Sequence, residues 1–397
     1  MKILFVCHRL PFPPNRGGKI RPFNMIQHLS RKHEVVVASL AETEQELRDG
    51  AGLEKHCVEV IAEVLPKPVR WRQACMALFT EEPSSVAYFR SSVLHRRIQQ
   101  KLREQKFDCV IVHCAFVAQY VLGWEGGLRW LDYGDLDSGK WAEYGEHRAF
   151  PLSFGYQFEA KKLRKYEATL AGQFHQCTVT TQGELDMYAS LGASTPCRVI
   201  PNGVDASYFI RPVQGPESSR VIAFLGRMDY YPNIDGILYF AHDIFPIVQK
   251  AIPDAQLRVI GSNPSQRIRD LARIVGVTVT GHVPDVRPYL ADAAVAIAPL
   301  RLARGTQNKI LESMAMGIPV VSTPQAAKGI SATPGRHLLV AGSPDAFAKG
   351  VIDALQGIEL RRSLSEAARK QVERMHHWPS SMKILDEILE DVPARFF

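Results

Sequence analysis

Segment 304–322 contains a glycine, a lysine and a glutamate at spacings that suit phosphate and sugar binding. Gly305 precedes a predicted helix over residues 307–316, and the first turn of a helix exposes backbone N–H groups that can bind phosphate oxygens. Lys309 would add a positive charge beside the same phosphates. Glu312 lies near the second turn, where its carboxylate could accept hydrogen bonds from both hydroxyls of a ribose. The alternative is an ordinary helix–strand unit with a surface glutamate.

Two other glycine-containing segments follow predicted strands. Gly226 and Arg227 follow strand 221–225, where a guanidinium could bind a diphosphate through two parallel hydrogen bonds. Gly17 and Gly18 follow the first strand, and a backbone without side chains can approach a ligand closely. A surface arginine and a plain turn are the respective alternatives.

The N-terminal half offers a histidine and a cluster of polar side chains. His113 ends predicted strand 109–113 and could hydrogen-bond a ligand, although a single histidine at a strand end is more often structural. Three carboxylates, a serine and a lysine fall within residues 132–140, after the next predicted strand. These groups could orient the hydroxyls of an acceptor, but Asx turns and helix capping explain such clusters equally well. The candidate acceptor-binding residues are Asp135, Asp137, Ser138 and Lys140.

Short β-branched runs alternate with amphipathic helical segments, and the pattern restarts near residue 221. Near-continuous apolar strands separated by helices indicate parallel sheets covered on both faces. We therefore expect an α/β protein with two facing, doubly wound, Rossmann-like domains, and ligands beyond the carboxyl ends of the strands. The expected domains are residues 1–205 and 206–378, with a turn-rich boundary at 201–205 and a linker running to 219. A C-terminal helix within 379–397 would cross back onto the first domain.

On these motifs the chain resembles the family-4 retaining glycosyltransferases of the GT-B architecture. That family carries two glutamates eight positions apart, followed by a Met-Ala-x-Gly-x-Pro-Val-Val run. Glu312 and residues 314–321 match, whereas Arg304 stands where the first glutamate would lie near the donor sugar. A family variant with Gly-x-x-Asn-Lys before the second glutamate matches Asn308 and Lys309. The arginine makes donor identity and activity open questions.

The resemblance extends over the whole chain. Residues 201–205 are similar to the family's interdomain segment, and 281–283 to its base-binding loop. The family usually places a lysine a few positions after Arg227, where this chain has Pro232 and Asn233, so we expect Lys309 to supply that charge. Segment 132–141, with 23–24 and 166–167, resembles the sugar transferases encoded with exosortase (PEP-CTERM) export systems.

The resemblance also implies the residues of the site. The donor-binding set would be Gly17, Gly18, Gly226, Arg227, His282, Val283, Gly305, Thr306, Asn308, Lys309 and Glu312. The residues implied to act in catalysis are His113, Arg227, Lys309 and Glu312, with His113 contacting the donor sugar and the two cations stabilising the leaving diphosphate.

The implied reaction moves a sugar from a nucleotide-diphosphate donor to a saccharide, expected to be linked to a polyprenyl lipid, with retention of configuration. Exopolysaccharide or cell-surface glycan synthesis would be the setting. Neither a metal nor another cofactor is expected, since the second-domain motifs outweigh the bare Asp-x-Asp spacing of Asp135 and Asp137. Two alternatives stay open: a non-hydrolysing nucleotide-sugar epimerase, and a catalytically weak nucleotide-sugar-binding protein.

Composition and absent motifs argue against several other classes of protein. The net charge of +7 is spread over both halves, and neither a dinucleotide-binding GxGxxG nor a P-loop is present, so oxidoreductases, P-loop enzymes and nucleic-acid partners are not expected. Seven cysteines without CxxC spacing favour a reducing, cytoplasmic compartment. Residues 67–106 hold nine Lys and Arg against three Glu, interleaved with aromatics, which suits an anionic membrane surface or a phosphate-bearing acceptor. A solvated helical face is the equally weighted alternative.

Overall fold

The computed structural model describes residues 1–211 and 217–391, and these form two compact units. The first contains Met1–Ile200 and the chain from Met382 onward, and the second contains Pro201–Ser381. The expected boundaries after residues 205 and 378 lie close to these positions. Parts of the expected linker (212–216) and of the C-terminal segment (392–397) lie outside the described residues.

In the first unit, the described residues build a parallel sheet of seven strands in the order β3-β2-β1-β4-β5-β6-β7. Strands such as β1, with the sequence KILFVC, are apolar on both faces because helices cover both sides. The strands are β1 Lys2–Cys7, β2 Glu34–Ala41, β3 Glu59–Val64, β4 Cys109–His113, β5 Leu128–Gly134, β6 Gln176–Val179 and β7 Cys197–Val199.

Eight α-helices of the described chain connect these strands. Thr43, Ser91 and Thr181 start three of them by accepting a hydrogen bond from the backbone N–H three residues on. The helices are α1 Gly17–Leu29, α2 Glu44–Asp49, α3 Lys67–Ala77, α4 Ser84–Tyr88, α5 Ser92–Glu104, α6 Asp137–Glu146, α7 Leu152–Ala171 and α8 Gln182–Ala189. Two 3₁₀ turns cover Gly50–His56 and Ala115–Tyr120.

The second unit repeats the design with a parallel sheet in the order β10-β9-β8-β11-β12-β13. Its strands are β8 Val221–Leu225, β9 Gln256–Ile260, β10 Val277–Val279, β11 Val295–Ala298, β12 Val320–Ser322 and β13 Leu339–Val340. Its helices are α9 Tyr231–Tyr239, which continues through a π-helical turn into α10 Phe245–Ala251, then α11 Gln266–Arg269, α12 Arg287–Leu290, α13 Asn308–Ala315, α14 Pro324–Ala327, α15 Pro344–Gln356 and α16 Ile358–Met375.

Helix α17, Trp378–Glu390, starts in the second unit and belongs to the first from Met382. There Asp386 accepts hydrogen bonds from His28 of α1 (2.8 Å) and from Lys32 (3.1 Å).

Each sheet has one point where the strand order reverses, between β1 and β4 in the first unit and between β8 and β11 in the second. Ligands of doubly wound sheets bind at the carboxyl ends of strands on either side of such a point. The prediction of two doubly wound parallel α/β sheets is confirmed. Among the described helices, none is both long and apolar enough to cross a bilayer.

Candidate active site

In the second unit, a lysine, an asparagine and a glycine meet where β8 ends and α13 begins. The Lys309 Nζ donates a hydrogen bond to Asn233 Oδ1, and the Asn233 amide donates to the backbone oxygen of Arg227 at 2.9 Å. A Cβ added to Gly226 would lie 2.7 Å from the Asn233 side-chain nitrogen and 3.2 Å from Lys309 Nζ. A side chain at position 226 would displace the Asn233 amide or the Lys309 ammonium, and glycine lets the ammonium lie beside bare backbone at the reversal point of the sheet.

The position of Lys309 concerns the lysine that the family usually places a few residues after Arg227 and that this chain lacks there. We expected Lys309 to supply the charge that the family places near Pro232 or Asn233, and the structure brings the Lys309 ammonium into contact with Asn233 itself. The ammonium also lies 4.6 Å from the centroid of the Phe224 ring, which contributes a favourable cation–π contact. Diphosphate binding by Lys309 stays a prediction.

The loop before α13 leaves hydrogen-bond donors without protein partners. Gly305 has a φ of +61°, a left-handed conformation that turns the chain into the helix. Within the described chain no side chain caps α13, because the Gln307 amide instead donates to the Arg304 oxygen at 2.9 Å. The Thr306 hydroxyl is buried without a hydrogen-bond partner among the described residues. A phosphate bound at this turn would satisfy such donors.

Lys309 and Glu312 lie three residues apart on the same face of α13, and both are half-buried. Burial lowers the pKa of Lys309 to about 7, an effect that the charge of Glu312 opposes. Burial likewise raises the pKa of Glu312 to about 7 against the opposing charge of Lys309. Two neighbouring groups whose pKa values are shifted this far cost folding free energy, and such pairs are typical of functional sites.

Arg227 is less available than its sequence position suggested. Its guanidinium forms an ion pair with Asp229, with Nε at 3.0 Å from Oδ1, and Asn263 donates to the same carboxylate at 3.2 Å. The exposed pair contributes little stability, so a diphosphate could displace Asp229 at small cost. The sequence analysis did not anticipate this competing carboxylate.

The other predicted donor residues are placed as follows. His282 is exposed and Val283 half-buried after β10, behind Gly281, whose φ is +72°. Asn308 and Arg304 are half-buried beside the α13 turn. Nowhere in residues 1–211 and 217–391 do three or more His, Cys, Asp or Glu side chains come together as a metal site, and metal independence stays a prediction.

In the first unit, His113 is held by a buried carboxylate. Its Nδ1 lies 2.7 Å from Asp132 Oδ2, and Arg21 binds both oxygens of Asp132 at 2.9 and 2.6 Å. Thr178 donates to Asp132 Oδ1 at 2.8 Å. Since an ionised carboxylate only accepts hydrogen bonds, the proton of a neutral His113 lies on Nδ1 and Nε2 is left as an acceptor.

The charge of Asp132 is stabilised by Arg21. Burial alone would raise the pKa of Asp132, but the charge and hydrogen bonds of Arg21, together with His113, hold it well below its usual range. All three side chains are 5% exposed or less. The His113–Asp132 pair therefore has a fixed orientation, which suits a histidine that positions a ligand.

Two further groups surround this histidine. The His8 ring, at the end of β1, lies 5.7 Å from the His113 ring, and burial followed by the charge of Arg9 holds the pKa of His8 well below its usual range. A Cβ on Gly18 would lie 3.7 Å from His8 Nε2. Gly17 and Gly18 open helix α1, and the first turn of a helix leaves backbone N–H groups available to an anion.

The candidate acceptor residues are only partly accessible. Asp135 accepts a hydrogen bond from Thr180, and burial raises the pKa of Asp135. Asp137 pairs with Lys140 at 2.5 Å. Ser138 is 2% exposed, and both its N–H and its hydroxyl donate to Glu167 of α7. The donors of Ser138 therefore join α6 to α7 in this structure, and acceptor binding by Ser138 stays a prediction.

Residues 67–106 divide into structural and exposed parts. Arg70 is fully buried and donates to Leu65 and Ala41, while Arg97 and Lys101 bond to Ala62 and Glu59 of β3. These cations fasten helices to the sheet. The exposed aromatic side chains of the segment, Trp71 and Phe79, lie in and just after α3.

Sequence reasoning missed Arg21, His8 and Asn233 as site residues, and it considered Asp132 only within the polar cluster 132–140. His8 directly follows β1, so a search for polar groups just after apolar strands would have found it. Arg21 and Asn233 lie in helices and carried no comparable signal.

Comparison with known proteins adds family matches over most of the chain. The family model described as Glycosyltransferase Family 4 matches residues 16–208, and the one described as Glycosyl transferases group 1 matches residues 219–357.

Among curated relatives, a phosphatidyl-myo-inositol mannosyltransferase of Mycobacterium tuberculosis is 29% identical over 188 residues, which is 44% of this chain and 49% of that protein. An uncharacterized 44.6 kDa protein in the cps region of Klebsiella pneumoniae is 21% identical over 43% of this chain and 45% of that protein. A GDP-mannose-dependent monoacylated α-(1-6)-phosphatidylinositol monomannoside mannosyltransferase of Corynebacterium glutamicum is 28% identical over 54% of this chain and 62% of that protein. The chain thus spans about half the length of the first two relatives.

Solved structures share the fold along the full chain. A sucrose-phosphate synthase from Thermosynechococcus elongatus is 15% identical with a TM-score of 0.72 and covers 98% of both chains. Anabaena Alr3699/HepE, solved in complex with UDP-glucose, is 14% identical with a TM-score of 0.68 and covers 99% of this chain and 100% of that one.

Proposed function

We propose that this chain is a family 4 glycosyltransferase of the GT-B fold and that it transfers a sugar from a nucleotide-diphosphate donor to a lipid-linked saccharide with retention of configuration. The observation that carries the proposal is the α13 turn, where the half-buried Lys309 lies beside the bare backbone of Gly226. Glu312, also half-buried, lies three residues further along the same face of α13. Holding such a pair costs folding free energy, which a ligand interaction explains.

In this proposal each group of the α13 turn has one role. Lys309, the Thr306 hydroxyl and the N–H groups of the first turn bind the diphosphate and stabilise the charge that develops as it leaves. Arg227 exchanges Asp229 for the same phosphates. Glu312 accepts the ribose hydroxyls. His113 positions the transferred sugar, a role that rests on the family resemblance.

The acceptor class and setting rest on other support. The mycobacterial relative is named for a phosphatidyl-myo-inositol substrate, and the Klebsiella relative is encoded in a cps region. We therefore propose a lipid-linked acceptor and a role in exopolysaccharide or cell-surface glycan synthesis at the cytoplasmic face of the membrane. The kinship with exosortase-associated transferases belongs to the same proposal.

The test begins with a thermal-shift screen of UDP- and GDP-sugars, since a ligand that binds only the folded state raises its apparent stability. With the selected donor, Glu312→Ala should lower sugar transfer or slow donor hydrolysis at least about 100-fold, while circular dichroism shows a folded protein. Glu366→Ala, an exposed glutamate on α16, is the matched control and should act like the native chain.

Three results would contradict the proposal. Near-native transfer by folded Glu312→Ala would remove its central residue. Conversion of the nucleotide sugar without acceptor would indicate an epimerase instead. Donor binding with neither transfer nor hydrolysis would indicate a binding protein.

A further inference from the structure

Exposed phenylalanines of the described chain are concentrated in one region of the first unit. All four that exceed one-third exposure lie in the turn after α3 or around the start of α7: Phe79 (91%), Phe150 (81%), Phe154 (67%) and Phe158 (42%). Leu78 and Leu152 beside them are also exposed. Isolated apolar side chains on a surface are ordinary, but such a concentration of the largest ones marks an interaction surface.

Helix α7 has two different faces. Its buried residues, Ala160, Leu163, Glu167 and Leu170, recur at helical spacing and pack on the core. On the opposite side, Phe154, Phe158, Lys161 and Lys165 are spaced four, three and four residues apart, so they form one exposed stripe. The stripe is aromatic at its N-terminal end and basic further along.

The start of α7 is held rigidly with its phenylalanines turned outward. The Tyr156 ring stacks on Trp141 of α6 at 5.4 Å, and the Gln157 amide donates to the Ala142 oxygen at 3.1 Å. Phe154 and Phe158 stack on each other at 6.3 Å on the free side. Exposure of these rings is thus a feature of ordered helix packing.

Lys162 joins the two exposed segments into a single surface. Its Nζ lies 4.5 Å from the Phe158 ring centroid and donates to the Ala77 oxygen at 2.9 Å, at the end of α3. Leu78 and Phe79 directly follow. We call the surface formed by Leu78, Phe79, Phe150, Leu152, Phe154 and Phe158 the aromatic patch.

A basic groove lies next to the aromatic patch on the same helix. It has a volume of about 350 Å³ and is lined by Lys161, Arg164, Lys165, Ala168, Ser190 and Leu191. Arg164 is held in place by the Ser190 oxygen at 2.8 Å. Among the described residues, Glu81 is the carboxylate paired with the groove's cations, through Lys165, and because Glu81 is 91% exposed it screens them weakly.

We infer that the aromatic patch and the basic groove together dock this chain on the surface of an anionic phospholipid bilayer. Aromatic rings favour the boundary between headgroups and acyl chains, and lysine and arginine bind the phosphates above it.

The aromatic patch shares Leu78 and Phe79 with segment 67–106, but its basic groups come from α7 and not from that segment. On α5, Arg97 and Lys101 are bonded to β3 instead. The inference rests on the proposed function in one respect, since a lipid-linked acceptor gives the membrane contact its purpose.

The experiment is vesicle flotation of the full chain. Vesicles of phosphatidylcholine alone are compared with vesicles that contain roughly one-third phosphatidylglycerol. The native chain should float with the anionic vesicles and detach in high salt. Phe154→Ser with Phe158→Ser should reduce binding at least about tenfold. Lys161→Gln with Lys165→Gln should remove the preference for anionic vesicles.

Val275→Ser is the matched control, because it also replaces an exposed apolar side chain (83% exposed) but lies in the second unit. It should float like the native chain. Equal flotation of the phenylalanine variant, or no flotation of the native chain, would overturn the inference. So would sedimentation showing a dimer that the phenylalanine variant dissociates, because a second copy would then cover the patch.

Nucleotide binding separates this inference from the proposed function. The phenylalanine variant should keep the native thermal shift with UDP or GDP, because these residues belong to the first unit and the α13 turn belongs to the second. Flotation without any nucleotide binding would refute the proposed function and leave the docking surface in place.

Discussion

Replacing Lys309 by methionine and Glu312 by glutamine in one variant separates a binding role of this pair from a structural one. Both substitutes keep the approximate size and shape of the native side chains while removing the charges. A pair kept for stability would lose stability on replacement, whereas a pair kept for binding would gain it. We expect the double variant to be more stable and to bind UDP and GDP at least about tenfold more weakly.

The magnitude follows from the pKa values and contacts of the pair. Lowering the pKa of Lys309 from 10.5 to about 7 sets an upper limit of about 4–5 kcal/mol on the cost at neutral pH. Partial solvent exposure reduces this to about 2–4 kcal/mol. Loss of the hydrogen bond to Asn233 takes away about 1 kcal/mol. The expected gain is therefore about 1–3 kcal/mol.

Thermal unfolding without ligand and calorimetric titration with UDP and GDP measure the two effects. In a unit of this size each kcal/mol shifts the Tm by about 2–4 °C. The control replaces Lys349 with methionine and Asp353 with asparagine, an exposed pair on α15 that should change stability by less than about 0.5 kcal/mol. A less stable double variant with unchanged nucleotide affinity would refute the reasoning.

Two further predictions concern protonation. Diphosphate binding needs the positive charge of Lys309, which is lost as pH rises above its pKa of about 7. Ribose binding needs the negative charge of Glu312, which is lost as pH falls below its pKa of about 7. Nucleotide affinity should therefore peak near neutral pH. Titration calorimetry across pH would show it, and a flat profile would contradict it. Asp132→Asn should destabilise the first unit by about 3–5 kcal/mol, because Arg21 would remain buried without its counter-ion. The pKa of Asp132 is lowered on folding, so its contribution is present above about pH 4 and lost below it. Acid unfolding should accordingly become less steep in the variant, and an unchanged acid slope would count against the Arg21–Asp132–His113 arrangement.

Much of the fold could be predicted because parallel α/β sheets have a local signature. Apolar strands of four to six residues, such as 109–113 and 221–225, are separated by helices. This alternation can be recognised from the local sequence alone. Helix α13 was readable for the same reason, since Gly305 and Gly317 bracket an apolar stripe.

The parts that could not be predicted depend on contacts between distant segments. Lys309 meets Asn233 across 76 residues, and Arg21 meets Asp132 across 111. No periodicity records such pairs. The hydrogen bonds of Ser138 to Glu167 of α7 also join distant segments. Helix α1 begins at Gly17, about one turn earlier than its apolar pattern indicates.

A crystal structure of the chain with UDP or GDP bound tests the central claim most directly. The account predicts pyrophosphate oxygens in hydrogen-bonding contact with Lys309 and the first-turn N–H groups of α13, and ribose hydroxyls on Glu312. A pyrophosphate bound away from this turn, or a ribose that does not touch Glu312, would contradict it.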